Sequence, residues 1–190
     1  MISSQYKSLK DDEIITLIRT EGKNVLFDVI YERYYIKVRD KCYSLLKNKN
    51  LAGDFANDIL SKAFEHLNGF KGKSSFSSWL YSITYNYCID YLRVQKKMHY
   101  PEWNRKNEIP EIIDETEEDF TEVNYKRLIE LLELIHPEEK ALILMKYQDN
   151  LSMRQISTAL RITEDAAKMR LKRARTRILY LFKTKYKDIE

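Results

Sequence analysis

One stretch of the chain, LSMRQISTALRITEDAAKMRLKRARTRILYLF from Leu151 to Phe182, limits the possible folds more than any other. Ser152 followed three residues later by Gln155 is a capping-box pattern. In it the Ser oxygen accepts a backbone N–H and the Gln side chain reaches back to the N-cap. The pattern therefore predicts a helix that begins near Met153.

A second helix is predicted directly after the first. Thr163 is its natural N-cap, and Glu164 and Asp165 fall in its first turn, where the helix dipole favours acids. The connection through Arg161 is short enough to force a sharp angle, so the stretch is typical of a helix-turn-helix.

The two faces of the second helix differ in chemistry. An apolar seam that can pack on the first helix is formed by Ala167, Leu171, Ala174, Ile178 and Leu181. The opposite face carries Lys168, Met169, Lys172, Arg173 and Thr176. Between Leu151 and Lys187 there are eleven basic residues and two acidic ones. This basic face suits a DNA major groove, whereas charge alone would also fit a solvated helix in an ordinary bundle.

The composition indicates an all-α protein of two small domains. The chain has 190 residues, of which 44% are hydrophobic and only four are Gly and three Pro. Cys42 and Cys88 lie within apolar helical patterns and lack metal-binding spacing, so we expect reduced, buried thiols. No signal peptide or membrane-length apolar run is present, which favours a cytoplasmic protein without membrane insertion.

Four helical patterns follow one another in the N-terminal half. The first is capped by Asp11 or Asp12 and ends near Gly22, and the second runs from about Asn24 to Lys47. After a polar loop over residues 47–50, Asp54 is the predicted N-cap of a third helix that reaches Asn68. The fourth is predicted over residues 77–97.

The outer sides of the last two of these helices are polar. On the third, Asp58, Ser61, Lys62 and Glu65 form one edge. The fourth has a predicted outer side of hydroxyls, an amide, a guanidinium and an aromatic, where single-stranded bases can stack: Ser78, Ser82, Tyr85, Asn86 and Arg93.

An acidic segment separates the two halves. Between Pro101 and Glu122 there are nine acidic residues and two basic ones, with weak periodicity, which predicts a flexible linker. We therefore place an N-terminal domain at residues 1–98, an acidic linker at 99–123 and a helix-turn-helix domain at 124–190. In the last, helical periodicity breaks at His136-Pro137, and Pro137 fits the first turn of the next helix.

Four motifs occur in the order found in one family: YERYY from Tyr31, ANDILSKAF from Ala56, FKGKSSFSSWLYSITYNYCIDYLR from Phe70, and KMRLKRAR from Lys168 within the helix-turn-helix. On these motifs the chain resembles the extracytoplasmic-function (ECF) group of RNA polymerase sigma factors. The resemblance covers roughly residues 26–97 and 128–182. It implies a sigma factor that binds core RNA polymerase and promoter DNA and that an anti-sigma factor can mask.

The resemblance also implies where the contacts lie. The polymerase contact would fall on Asp58, Ser61, Lys62 and Glu65. The −10 element would be bound by Lys71, Lys73, Ser74, Ser75, Phe76, Ser78, Ser82, Tyr85, Asn86 and Arg93. The −35 element would be read by Arg154, Asp165, Lys168, Met169, Lys172, Arg173 and Thr176.

Some positions depart from the family pattern. Ser61 stands where Gln is usual, and Ser82 and Tyr85 stand where basic residues are common. Arg161 replaces a frequent Gly in the turn, so we expect a backbone conformation there other than glycine's.

Two other function classes fit the sequence less well. A stand-alone dimeric helix-turn-helix regulator would bind a palindromic operator without polymerase. An enzyme is disfavoured, because the sequence has no nucleophile–base, nucleotide-binding or metal-ligand constellation and its three His are scattered. We expect no cofactor and no metal.

Overall fold

The computed structural model describes residues 4–95, residue 97 and residues 125–186, and every regular element in these ranges is helical. This confirms the all-α prediction. The chain divides into two compact units, Met1–Lys96 and Lys97–Glu190. The predicted acidic linker lies outside the described residues, and the predicted domain bounds stay a prediction.

The described part of the N-terminal unit has five helices and two 3-10 turns. The helices are α1 (Ser4–Lys7), α2 (Asp11–Glu21), α3 (Phe27–Leu46), α4 (Lys49–Glu65) and α5 (Phe76–Val94). The 3-10 turns are Asn24–Leu26, before α3, and Leu67–Gly69, after α4.

One predicted helix start was wrong. The side chain of Asn48 accepts a hydrogen bond from Leu51 N at 3.1 Å and so begins α4 at Lys49, which leaves Asp54 inside the helix rather than at its cap. Asn is as good an N-cap as Asp, and the polar run before it hid the start. Ser75 caps α5 by accepting from Ser78 N at 3.2 Å, so α5 begins at Phe76, within one residue of the predicted start.

Apolar packing between helices holds the N-terminal unit together. Helix α3 packs against both α4 and α5, and its residues Ile30, Val38 and Cys42 are fully buried. Cys88 on α5 is also fully buried. A hydrogen bond with Cys42 and burial both raise the pKa of the Cys88 thiol, so this thiol is protonated and poorly reactive.

A polar cluster at the start of α2 ties this helix to α3. Asp11 accepts hydrogen bonds from Arg33 at 2.6 Å and from the Tyr34 hydroxyl at 2.5 Å. A second guanidinium nitrogen of Arg33 donates to the Leu9 carbonyl at 2.7 Å. Because these groups are largely shielded from water, each bond is stronger than an exposed one.

The C-terminal unit is described from residue 125 onward. Its helices are α6 (Tyr125–Leu132), α7 (Pro137–Ile143), α8 (Met153–Leu160) and α9 (Glu164–Tyr186), and the π-helical segment Leu144–Gln148 continues α7. Pro137 occupies the first turn of α7, as predicted, and His136 Nδ1 accepts from Glu138 N at 3.2 Å.

Helix α9 is the longest element of this unit and packs against α6, α7 and α8. The predicted seam residues Ala167, Leu171, Ala174 and Ile178 are buried. Leu181 is only half-buried, and its neighbour Leu179 is buried instead. None of the helices in the described ranges is long and apolar enough to cross a membrane.

Candidate nucleic-acid interface

The turn between α8 and α9 is built by local hydrogen bonds. Ser152 and Gln155 form the predicted capping box, with Ser152 N donating to Gln155 Oε1 at 2.8 Å. Thr163 Oγ1 accepts from Ala166 N at 3.1 Å and caps α9. Arg161 itself takes the left-handed conformation, with φ 55° and ψ 48°, so the expectation of a different backbone there was wrong.

The predicted −35 residues lie on the side of α9 away from its apolar seam. Lys168 and Lys172 are exposed, Met169 is 56% exposed, and Arg173 and Thr176 are half-buried. Asp165 is exposed and lies 3.4 Å from the ammonium of Lys168. Arg154, near the start of α8, is also exposed. This side of α9 therefore offers cations, a thioether and a hydroxyl to a partner.

Two arginines of α9 point the other way, toward α7. Arg170 donates to Glu138, and Arg177 Nη1 lies 3.4 Å from Glu139 Oε2. Both glutamates are only 1% exposed. A carboxylate buried this deeply needs a charged partner, so these arginines hold α9 against α7. Neither pair was predicted from the sequence, because the helix dipole also favours acids in the first turn of a helix.

The end of α9 carries another internal contact. Glu130 of α6 accepts a hydrogen bond from the Tyr186 hydroxyl at 2.6 Å and lies 3.6 Å from Lys185 Nζ. The hydrogen bond from Tyr186, followed by the charge of Lys185, lowers the pKa of Glu130. Together with Arg170 and Arg177, Lys185 is therefore directed at acids of its own unit. The number of basic residues between Leu151 and Lys187 therefore overstates the positive charge that α9 can present to DNA.

Aromatic rings pack on the inner side of the loop before α5. Arg19 donates to the Phe70 carbonyl at 3.0 Å, and the Phe70 ring lies 5.7 Å from Phe76 and 5.4 Å from Trp79. Phe76 is 1% exposed, so the prediction that it contacts the −10 element is corrected: it supports the loop from inside.

The remaining predicted −10 residues are accessible to different degrees. Lys71, Lys73 and Ser75 are exposed; Ser74, Ser78, Ser82, Asn86 and Arg93 are half-buried. Tyr85 is fully buried, so its predicted position on the outer side was wrong. Helix α3 covers this part of α5, and Lys41 of α3 donates to the Tyr85 hydroxyl at 3.5 Å. Periodicity within α5 could not show which arc a neighbouring helix covers.

The predicted polymerase edge lies along α4. Asp58, Ser61, Lys62 and Glu65 are all exposed. Tyr87 of α5 reaches this edge. Its hydroxyl donates to Asp58 at 2.9 Å and its ring lies 4.2 Å from Lys62 Nζ. Burial, and then the hydrogen bond to Asp58, raises the pKa of Tyr87.

Two family profiles match the chain, one in each half. The profile described as Sigma-70 region 2 matches residues 30–98, and the one described as Sigma-70, region 4 matches residues 125–178. The first match begins in α3 and includes α4 and α5, and the second includes the helix-turn-helix.

Two curated relatives align with this chain over most of their own length. The chain is 27% identical to the ECF RNA polymerase sigma factor SigW of Bacillus subtilis over 164 residues, which are 82% of this chain and 88% of SigW. It is also 27% identical to the RNA polymerase sigma factor YlaC of the same organism over 149 residues, 77% of this chain and 86% of YlaC.

Two solved structures share the fold. CnrH in complex with the cytosolic domain of CnrY matches with a TM-score of 0.58 at 17% identity, covering 92% of this chain and 99% of CnrH. RpoE of Bartonella quintana in complex with the anti-sigma factor NepR matches with a TM-score of 0.56 at 18% identity, covering 83% of this chain and 96% of RpoE.

A helical unit followed by a basic helix-turn-helix unit, matched in order by regions 2 and 4, defines a transcription initiation factor. The chain belongs to the sigma-70 family of RNA polymerase sigma factors and to its ECF group. Members of this family bind core RNA polymerase and promoter DNA. The alternative of a stand-alone dimeric regulator is not favoured, because it does not account for region 2.

Proposed function

We propose that the N-terminal unit docks on core RNA polymerase and holds the −10 element, while the C-terminal unit reads the −35 element. The single observation that carries this division of labour is the order of the two matches: region 2 falls on α3 to α5, and region 4 falls on the helix-turn-helix. Neither unit performs a chemical reaction in this proposal, and no cofactor is needed.

In the C-terminal unit, α9 enters the major groove with its N-terminal half. Lys168, Met169 and Lys172 are exposed there, and Arg173 completes the same side. Contacts to base edges supply discrimination of about 1–3 kcal/mol per good pair. Phosphate contacts supply affinity with a salt slope of about −0.9 per phosphate. Arg154, Asp165 and Thr176 lie beside this face and complete the −35 site.

In the N-terminal unit, the loop before α5 and the half-buried face of α5 bind the separated −10 strand. Lys71 and Lys73 supply charge at the loop, while Ser78, Ser82 and Asn86 supply hydrogen-bonding groups along the helix. Unpaired bases held in this way keep the melted state open, so strand opening needs no catalysis by the protein.

The polymerase contact is proposed along α4. Asp58, Ser61, Lys62 and Glu65 form a mixed-charge exposed edge, and Tyr87 anchors two of them from α5. Polymerase then fixes the separation of the two DNA-binding units, so the second DNA contact becomes effectively intramolecular. We propose that the protein works in the cytoplasm and is held inactive by an anti-sigma factor, as the solved relative bound to NepR suggests.

In vitro transcription tests the proposal. The purified chain is added to sigma-free bacterial core polymerase with a library of genomic fragments, and transcript 5′ ends are mapped. We expect discrete starts that share spaced −35 and −10 sequences, and we expect their loss in the triple variant K168A, K172A and R173A. Lys183→Ala is the matched control, because Lys183 is an exposed cation near the other end of the same helix.

The regulator alternative makes the opposite prediction. Tight binding of the chain alone to a palindrome, with no polymerase-dependent starts, would overturn the proposed function. Equal loss of transcription in the triple variant and in Lys183→Ala would show that total charge, rather than the outward face of α9, carries the −35 contact.

A further inference from the structure

One exposed apolar side chain lies within the polar outer side of α9. Met169 is 56% exposed, and it is the most exposed of the large apolar residues that the structure describes in this helix. Its neighbours on the same side, Asp165 about one turn before it and Lys172 about one turn after it, are both exposed and charged. More than half of the Met169 surface is thus left to water or to a partner.

Contacts on the opposite side of α9 fix the rotation of this helix about its axis. Ala167 and Leu171 are buried in the apolar seam, and Arg170 donates to buried Glu138 of α7. At 3.6 residues per turn, these contacts hold Met169 on the outward arc. Met169 is the sixth residue of α9 and so lies about 7.5 Å from the start of the helix. This is the part of a recognition helix that meets base edges.

The chemistry of the thioether restricts what Met169 can bind. Its sulfur is a weak hydrogen-bond acceptor, and the side chain has no donor and no charge. It therefore does not hold a phosphate, and it does not read the polar edge of a base as an arginine or an asparagine does. The bases present one apolar group in the major groove, the C5-methyl of thymine. A flexible, polarisable side chain adapts readily to such a methyl surface.

The acid on the same side of α9 shows which part of the DNA this arc faces. The Asp165 side chain is 91% exposed and lies 3.4 Å from the ammonium of Lys168, in an exposed ion pair of the weak kind. A carboxylate is repelled by phosphates but accepts a hydrogen bond from the amino group of cytosine at the groove floor. Because Met169 lies one turn from Asp165 on the same side, it is directed at base edges as well.

We propose that Met169 reads the C5-methyl of one thymine in the −35 element and makes that position specific for a T·A pair. This inference rests on the proposed function of the C-terminal unit and deepens it, because it assigns one chemical group of one base to one side chain. At that position, recognition depends on an apolar contact and not on a hydrogen bond.

Deoxyuridine gives the direct test, since it pairs as thymine does and lacks only the methyl. Holoenzyme is assembled from core polymerase and the full chain. It is titrated on promoter DNA in which each thymine of the −35 element, on either strand, is replaced in turn. We expect the wild type to bind about 3- to 5-fold more weakly at one replaced position, the value of burying about one methyl group. In Met169→Ala the same replacement should have no effect, whereas Met169→Leu should retain the discrimination.

The salt dependence of binding separates base contact from a merely structural role. A displaced helix would lose phosphate contacts, so its salt slope would change. Met169→Ala should leave the slope as it is in the wild type, because Met169 contacts no phosphate. Tyr180→Ala is the matched control. Tyr180 is an exposed aromatic of the same helix, at 37%, and lies three turns further along. This variant should show the same deoxyuridine effect as the wild type. Thermal unfolding shows whether each variant is folded.

The outcomes that contradict the inference differ from those that contradict the proposed function. Equal binding of all deoxyuridine DNAs by the wild type would overturn the inference while leaving the proposed function standing. A methyl effect that persists in Met169→Ala would overturn it by assigning the contact to another side chain, and a changed salt slope would make Met169 a residue that positions α9. Binding of a scrambled −35 element as tightly as the original would instead mean that the proposed −35 function is wrong, and the inference would fall with it.

Discussion

The two units of the chain place their cations in opposite ways. In the N-terminal unit, Lys37, Lys41 and Lys62 rest on tyrosine rings near surfaces proposed to bind DNA or polymerase. In the C-terminal unit, Arg170 and Arg177 are drawn inward by buried glutamates. A tyrosine ring holds a lysine at the edge of its unit, whereas a buried carboxylate draws an arginine inward. The number of basic residues in a segment is therefore a poor measure of its DNA surface.

The difference follows from what each unit has to hold in place. The N-terminal unit closes its core with apolar side chains of α3, α4 and α5. Its lysines can therefore stay at the edge. The C-terminal unit must fix one long helix, α9, whose sequence is basic on nearly every side. Burying Glu138 and Glu139 against it gives two of its arginines a defined inner side. The outer side of α9 then faces away from α7.

The largest effect is expected when the buried ion pair between Glu138 of α7 and Arg170 of α9 is removed. Glu138→Ala removes a buried carboxylate that Arg170 contacts, and removing one member of a buried pair typically costs about 3–5 kcal/mol. Because the Arg170 side chain is 24% exposed, we expect about 3 kcal/mol. Hydrogen exchange on the full chain should show faster exchange in α7 and α9 and no change in α3 to α5.

An exposed ion pair in the N-terminal unit serves as the comparison for this buried pair. Lys7 and Glu32 are 53% and 59% exposed, and Glu32→Ala should cost less than about 1 kcal/mol. If the two variants destabilised their units equally, the glutamates of α7 would not have the special role that their burial assigns.

The next prediction separates the inner and outer arginines of α9 by salt dependence. Arg173→Ala in holoenzyme should reduce the salt slope on −35 DNA by about 0.9 if Arg173 contacts one phosphate. Arg177→Ala should lower the stability of the unit, since it leaves buried Glu139 without this partner, yet leave the slope unchanged. Anisotropy titrations across a salt series measure both. Equal changes in slope would mean that Arg177 also reaches DNA.

A smaller effect concerns the tyrosine hydroxyls of the N-terminal unit. Burial, and then the hydrogen bond to Asp11, raises the pKa of Tyr34 well above its usual value of 10. The folded state therefore favours the neutral phenol. This contribution to stability is fully present below pH 10 and is lost as the pH rises above 10, by up to about 1.4 kcal/mol per pH unit.

The variant Tyr34→Phe tests the direction of this pH dependence of stability. At pH 7 the wild type should be more stable by about 1 kcal/mol, the value of one hydrogen bond. At pH 11 the difference should vanish or reverse, because phenylalanine has no proton to lose. Denaturant unfolding at the two pH values measures it. A constant difference would show that the Tyr34 hydroxyl ionises equally readily in the folded and the unfolded chain, so that folding does not raise its pKa.

Much of the fold was predictable because it rests on local signals. The capping box at Ser152, the cap at Thr163 and the apolar seam of α9 all depend on residues a few positions apart, and the structure has each of them. Long-range pairs were not predictable. Glu138 meets Arg170 across 32 residues and Lys41 meets Tyr85 across 44, and no periodicity marks either contact.

The wrong placement of Tyr85 has the same origin. Helical periodicity gives the relative angles of side chains, but the neighbouring helix decides which arc is covered. Because α3 packs along α5, the arc that contains Tyr85 is inside. The site could therefore be predicted where one helix presents it to solvent, as on α9, and only in part where a second helix covers one of its arcs, as α3 does on α5.

The smallest expected effect compares how the two units end a helix. Gly22 after α2 and Arg161 after α8 both take the left-handed conformation, with φ 64° and 55°. A side chain there costs roughly 1 kcal/mol relative to glycine. Arg161→Gly should therefore give a unit more stable than Arg161→Ala by about 1 kcal/mol, with both variants equally lacking the arginine side chain.

Gly22→Ala is the matching change in the N-terminal unit. A Cβ at this position would meet nothing within 4 Å, so any cost is that of the backbone conformation alone. The unfolding free energy should fall by about 1 kcal/mol from the wild type to Gly22→Ala, and by the same amount from Arg161→Gly to Arg161→Ala. Gly22→Ala could lower the unfolding free energy while Arg161→Gly and Arg161→Ala are equally stable. The turn before α9 would then relax when its side chain changes, and contacts of the Arg161 side chain would be what holds this residue in the left-handed conformation.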